Sequence, residues 1–520
     1  MTDATGLGHL APAVEARLAA LERDRVVERT WERDHTVWKP DPQEITDRLG
    51  WLTLPDAMAP QAADLQSFAR GVAAEGYTSA LLLGMGGSSL APEVLQATFG
   101  TAPGMLALQV LDSTSPAQIT RVEAGLDLGR TLFVVSSKSG GTIETRSQLA
   151  YFWEKLPDPR HFVVITDPGS SLDALASEMG VRRVFLNSPD VGGRYSALSL
   201  FGLVPAALAG VDVARLLEGA RQMQHACEPG VLAAANPGAW LGAVMGEAAL
   251  AGRDKLTLVL PPALAALGCW IEQLVAESTG KEGRGILPVE GEPLGAPGVY
   301  GGDRLFVAVG DAPGLDALER AGHPVVRLPA VDPYQLGAEF FRWEFATAVA
   351  GHVLQVNPFD QPNVQEAKDA TARMLAGELV DTNSEPLGAV LATVRPGGYL
   401  AILACLDRDA GNEARLAAVR RELRDRYRVA TTVGFGPRSL HSTGQLHKGG
   451  PKNGVFLQVV APPGLDLAIP GQPYGFGELF RAQADGDFAS LRAHGSRVAR
   501  ATLAELESAI LRSRNHPGAI

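Results

Sequence analysis

Short apolar runs recur along the middle of the chain, each closed by glycine, serine, asparagine or aspartate and followed by a stretch with one apolar face. SALLLG (79–84), LALQVLD (106–112), TLFVVSS (131–137), HFVVITD (161–167) and RRVFLN (182–187) have the length and the β-branched or aromatic content of strands. Segments between them, such as 92–99 and 143–154, have helical spacing. This alternation predicts a parallel sheet covered on both faces over about 65–208. A second unit of the same kind is predicted from about 237 to 404, with strands LTLVLP, RLFVAVGD, PVVRLP and YLAILA and a helix over 263–277. Ahead of both, Leu10, Val14, Leu18 and Leu21 repeat at helical spacing among charges, and the stretch reads as a surface helix. Behind them come a charged helix through 426, a strand near 429–433, a glycine-rich stretch and the strand VFLQVV. The chain thus divides into a helical lead-in (1–60), two α/β units (61–225 and 235–405) and an α/β tail (406–520).

Ligands of such sheets sit beyond the carboxyl ends of the strands. The residues predicted there are Gly84–Ser89, Asp112–Thr114, Ser137–Thr142 and Gly192–Ser196. The stretch Ser137-Lys138-Ser139-Gly140-Gly141-Thr142 stands between a strand and a helix carrying Glu144. Hydroxyls, free N–H groups and a helix N-terminus converge in such a turn and suit a phosphate. An ordinary βα turn with small polar residues stays open, because no Walker-type phosphate loop is present. Gly84-x-Gly86 with Asp112 partly imitates a dinucleotide fingerprint, but Ser89 occupies the third glycine position.

Two further stretches carry candidate chemistry. Glu277 closes the 263–277 helix, where a carboxylate at an apolar helix end is partly desolvated and fit to act as a base; a solvent-facing helix end is the plainer alternative. The stretch 438–450 gathers Arg438, His441, His447 and Lys448 among glycines, in a chain with only 10 histidines; a merely polar connection also fits.

Composition narrows the partners. The 520 residues carry 46 Lys plus Arg against 58 Asp plus Glu, a net charge of −12, which disfavours a nucleic-acid surface. No apolar span approaches the ~20 residues of a membrane helix, and the N-terminal residues lack the basic and apolar regions of a secretory signal. Cys227, Cys269 and Cys405 lie far apart, so neither a disulfide framework nor a zinc site is expected, and a reducing cytoplasm is.

Four separated stretches carry a resemblance: GMGGSSLAP, SSKSGGTIET, VGGRYSALS with ESTGK, and NPFDQPNVQEAK. Together they resemble the glucose-6-phosphate isomerases over about 38–460. The lead-in WERDHTVWKPDPQEITDRLGW and the HSTGQLHKGG tail are most similar to the isomerase half of the fused transaldolase–glucose-6-phosphate isomerases. The resemblance implies two sugar-isomerase (SIS) type α/β domains with the site between them, and aldose–ketose isomerisation of glucose 6-phosphate and fructose 6-phosphate through a cis-enediol. That reaction belongs to glycolysis and gluconeogenesis and needs no cofactor or metal. Ser88, Ser137, Ser139 and Thr142 would hold the phosphate, with Lys138 adding charge or backbone. Arg194 would stabilise the enediolate and Glu277, helped by Gln273, would carry the proton. Lys368 and His441 would open the ring, and Gln361 would line the sugar site. In most of the family the catalytic His precedes the NPFDQ segment, whereas His441 follows it. A homodimer lending that His, and a separate transaldolase as partner, also follow from the resemblance. The alternatives are a broader isomerase that accepts mannose 6-phosphate and a sugar-phosphate sensor without chemistry.

Overall fold

The computed structural model describes residues 5–378, 382–462, 464 and 466–515, so the extreme ends of the predicted lead-in and tail, 1–4 and 516–520, lie outside it. Among the described residues thirteen strands form three sheets, all with parallel pairing. The first holds β1 (Ser79–Gly84), β2 (Ala107–Leu111), β3 (Thr131–Ser136), β4 (Phe162–Thr166) and β5 (Arg183–Leu186) in the order β2-β1-β3-β4-β5. The second holds β6 (Lys255–Val259), β7 (Leu287–Val289), β8 (Arg304–Val309) and β9 (Val325–Leu328) in the order β7-β6-β8-β9. All five strands predicted for the first unit are present. All six β3 residues are buried, as a sheet covered on both faces requires.

The third sheet differs from expectation. β10 (Tyr399–Cys405), read from the sequence as part of the second unit, pairs with β11 (Ala430–Phe435) and β12 (Gly454–Val460), and β12 pairs with β13 (Arg497–Ala501). Leu400, Ile402, Leu416, Leu457 and Val459 belong to a hydrophobic cluster of their own. The tail is therefore a third parallel α/β unit, and it begins before residue 405. An apolar run reveals a strand but not its neighbours, which is why the sequence alone places YLAILA in the wrong sheet.

Two buried helices join the first two units. Pro237–Leu250 lies against Leu336–Leu354, and Gly242 lets them close: a Cβ there would stand 2.5 Å from the Ala346 carbonyl oxygen and 2.6 Å from Val349 Cβ. The lead-in is equally integral, since Leu49 bridges Val191 and Trp38 Nε1 donates to the Ala348 carbonyl at 2.8 Å.

A fully buried ion pair ties the second sheet to the third. Arg304 on β8 meets Glu292 at 3.0 Å, donates to Thr257 on β6 at 2.9 Å and reaches the Val429 carbonyl at 3.3 Å. Glu292 in turn accepts from the Thr431 hydroxyl on β11 at 3.0 Å. Burial pushes the Glu292 carboxyl up, but the charges of Arg304 and Arg420 outweigh it and hold the group below its ordinary value. Its stabilising contribution is present above the unfolded carboxylate pKa and lost as pH falls through the folded one. Glu292→Ala leaves a buried guanidinium uncompensated and should destabilise the protein by about 3–5 kcal/mol. Unfolding followed by circular dichroism against denaturant checks this, and a midpoint equal to wild type would dismiss the pair as a tie between the sheets.

Candidate active site

The order of the first sheet reverses between β1 and β3, and ligands of such sheets sit at that reversal. The turn after β1 holds Gly86, Gly87 and Ser88; the turn after β3 holds Ser137 to Thr142. Thr142 is the residue ahead of the helix Ile143–Lys155, and its side chain does not cap the helix. The Thr142 hydroxyl instead meets the Ser137 hydroxyl at 2.9 Å, and Ser137 Oγ accepts from the Gly140 N–H at 3.2 Å. First-turn N–H groups and three hydroxyls thus edge one turn, a geometry suited to an anion. The Lys138 ammonium is engaged elsewhere: it pairs with Asp167 and donates to the Pro189 carbonyl at 3.0 Å. Of the two contributions expected from Lys138, charge or backbone, the charge is thus already committed, and the backbone remains.

A cleft of about 490 Å³ opens beside this turn, edged by Ser139, Thr142, Glu144, Lys368, His441 and Gln483. His441 comes from the third unit, at the end of the turn Arg438–His441 after β11, yet its Nε2 lies 2.9 Å from Glu144 Oε1 in the first. Gln483, on the helix Phe476–Ala493, donates to the same oxygen at 2.7 Å. Burial pushes the Glu144 carboxyl up, and the charge and hydrogen bond of His441 more than reverse this, leaving it below its ordinary value. A carboxylate on Nε2 turns Nδ1 toward any other partner. His447, the other histidine of the stretch, is not in the cleft. Its Nδ1 meets the Tyr399 hydroxyl at 3.0 Å, and burial first, then Lys448, press it down to about 3.

Behind the cleft, the helix Leu267–Thr279 is buried at every position but Cys269 and carries Glu277 near its end. Glu277 does not face solvent: its side chain is 11% exposed, and Oε1 lies 3.1 Å from Arg194 Nη1. Gln273 Nε2, one turn earlier, donates to Glu277 Oε2 at 3.1 Å and to the His441 carbonyl at 2.6 Å, so it joins the carboxylate to the histidine's turn. Arg194 also donates to Ser278 Oγ at 2.8 Å, Gln361 Oε1 at 2.8 Å, and the Pro358 and Asp360 carbonyls at 2.9 and 2.7 Å. Gly87 permits this, since a Cβ there would stand 2.0 Å from the Gly193 carbonyl oxygen, one residue from Arg194. Thus the phosphate-type turn and Arg194 come from the first unit, Glu277, Gln273, Gln361 and Lys368 from the segment of the second, and His441 from the third. Glu144, the partner of His441, was read from the sequence only as a residue of the helix after the turn, with no role, and Gln483, which holds the same carboxylate oxygen, was not singled out. Nothing local marks a glutamine 42 residues beyond His441 as its neighbour. Among the described residues no group of three or more His, Cys, Asp or Glu could hold a metal ion.

A family model described as phosphoglucose isomerase matches residues 56–285, from before the first turn to just past Glu277. A glucose-6-phosphate isomerase of Gloeothece citriformis is 32% identical over 430 residues, covering 72% of this chain and 77% of that protein. The chain belongs to the glucose-6-phosphate isomerase family. A second member, from Carboxydothermus hydrogenoformans, is 31% identical over 402 residues, covering 64% and 85% of the two chains. Among solved structures, a hypothetical protein of Thermus thermophilus superposes with a TM-score of 0.63 and 28% identity, covering 72% of this chain and 100% of that one. The glucose-6-phosphate isomerase of Chlamydia trachomatis shares the fold, with a TM-score of 0.53 and 20% identity over 68% of this chain and 78% of that one.

If the Ser137 turn binds an anion, Ser137→Ala and Thr142→Ala should each remove a charge-assisted hydrogen bond of about 1.5–3 kcal/mol, roughly a ten- to hundredfold loss of affinity. Titration calorimetry with inorganic phosphate measures this directly. Unchanged affinity in both variants would remove the turn from the site.

Proposed function

We propose that this chain interconverts D-glucose 6-phosphate and D-fructose 6-phosphate, a reaction of glycolysis and gluconeogenesis, in the cytoplasm. The observation that supports this best is the buried Glu277 carboxylate 3.1 Å from the Arg194 guanidinium, linked through Gln273 to the turn that carries His441. Aldose–ketose isomerisation takes a weakly acidic proton from the carbon beside a carbonyl and returns it one carbon away. It needs one base and a cation near the oxygen that becomes negative, and no redox group. A module that only senses a sugar phosphate has no use for the base.

In this reading the substrate phosphate sits on Ser88, Ser137, Ser139, Thr142 and the backbone at Lys138. His441, oriented by Glu144, moves a proton between the ring oxygen and O1 with Lys368 as partner, opening the ring. Glu277 then takes the C2 proton, the electron pair shifts to give the cis-enediolate, and Arg194 offsets the charge on its oxygen. Transfer of the O2 proton to O1, together with protonation at C1 by the same carboxyl, yields the ketose. Gln273 and Gln361 fix the positions of Glu277 and Arg194, and the remote phosphate supplies binding energy that holds the sugar in register.

A coupled assay following fructose 6-phosphate to glucose 6-phosphate tests the activity itself. Glu277→Gln keeps the shape without the base, and turnover should fall by at least ~10²–10⁴ while substrate still binds. Near-normal turnover would sink the assignment, and exchange of the C2 hydrogen with solvent should vanish alongside. His441→Ala should slow the ring-closed substrate far more than an open-chain sugar phosphate, because the imidazole serves only the ring-opening step. Equal loss on the two substrates would take that role away from His441.

A further inference from the structure

Lys281 lies four residues beyond Glu277 and is buried to 3% side-chain exposure in the same pocket of charge. Its ammonium pairs with the Asp360 carboxylate at 2.6 Å and bonds the Asn357 carbonyl. Arg194 holds three further acceptors of that loop, the Pro358 and Asp360 carbonyls and the Gln361 side chain. The loop 357–361 thus lies between two buried cations, one from the first unit and one from the second. The loop's opposite side is closed by aromatic packing, with Phe359 5.0 Å from Trp38 and 5.3 Å from Tyr195.

We propose that Lys281 is a positioning residue for the isomerisation: by fixing the depth of the loop 357–361, it sets how closely Arg194 approaches Glu277. This rests on the reading above. Arg194 can reach Glu277 no nearer than its carbonyl partners allow, and Lys281 anchors the loop that bears them. Without that anchor the guanidinium would exchange loop carbonyls for a fuller pairing with Glu277, occupying the base and withdrawing the cation from the enediolate oxygen.

The cost of keeping an ammonium here argues against mere filling of space. Burial, and next the charge of Arg194, press Lys281 down to about 7. A lysine whose folded value lies below its unfolded one lowers stability at every pH below the unfolded value, in full below the folded one. An apolar side chain of similar length would avoid that penalty.

The test uses the full chain and Lys281→Met, which keeps length and removes charge, with Asp360→Asn as a milder second variant. Expected is a fall in kcat of tenfold or more with KM within about twofold, and unchanged inhibition by inorganic phosphate. A five-carbon hydroxamate phosphate that mimics the planar enediolate should weaken in proportion to kcat. Asp360→Asn should show the same split to a smaller degree, and it decides the matter if Lys281→Met does not fold. A normal kcat, or kcat, KM and phosphate affinity falling together, would overturn the proposal. A crystal structure of the variant reads the same point without activity: a loop displaced and Arg194 closed onto Glu277 support it, and an unmoved loop overturns it. Wild-type protein inactive in the same assay would instead count against the isomerase reading.

Discussion

The architecture turns on one guanidinium. Arg194 has five N–H donors, and its hydrogen bonds and ion pair reach Ser278, Glu277, Gln361 and two backbone carbonyls of the loop 357–361. It arises from the 3₁₀ turn Gly193–Tyr195 in the first unit, whereas all of these partners lie beyond residue 276. A buried arginine with any donor unmatched is costly, so each partner must be delivered to within a few tenths of an ångström. The rest of the structure meets that demand. The glycine at 87 lets one turn lie against another, the buried helix Leu267–Thr279 presents Ser278 and Glu277 from one end, and the lead-in's Trp38 backs the loop from outside.

The parts of this arrangement that were legible in the sequence are those built from contiguous residues. A β-rich run that ends in Ser-Gly and restarts as a helix is a contiguous pattern suited to an anion, and β1, β3 and β4 have unbroken apolar centres, with Ser or Thr only at their ends, because both faces are covered. Glu277 could be placed at a helix end, but only the packing shows that this end is internal. β7 escaped notice because it is three residues long and contains a proline, and β13 because it reads RVARA. That strand is at the edge of its sheet, where Arg497 and Arg500 find partners in Glu385 and Asp485. The pairing of His441 with Glu144 joins positions 297 apart, and no local pattern encodes such a distance.

The third sheet changes the meaning of the tail. A strand predicted for one unit that pairs in another moves a boundary, and here it also moves the origin of the histidine from an appendage to a folded unit with its own core. The buried pair of Arg304 and Glu292 then acquires a second role. By holding β8 against β11, it fixes the unit that carries His441 relative to the one that carries Glu277.

Ser139, Thr142, Glu144, Lys368 and His441 surround a single opening, and all five come from one polypeptide. A centre whose imidazole is borrowed from a neighbouring subunit fades as subunits part, because the number of complete centres follows the dimer. Here the imidazole is tethered by covalent continuity, at an effective concentration that dilution cannot change. The pairing of His441 with Glu144 therefore forms without a second copy of the chain.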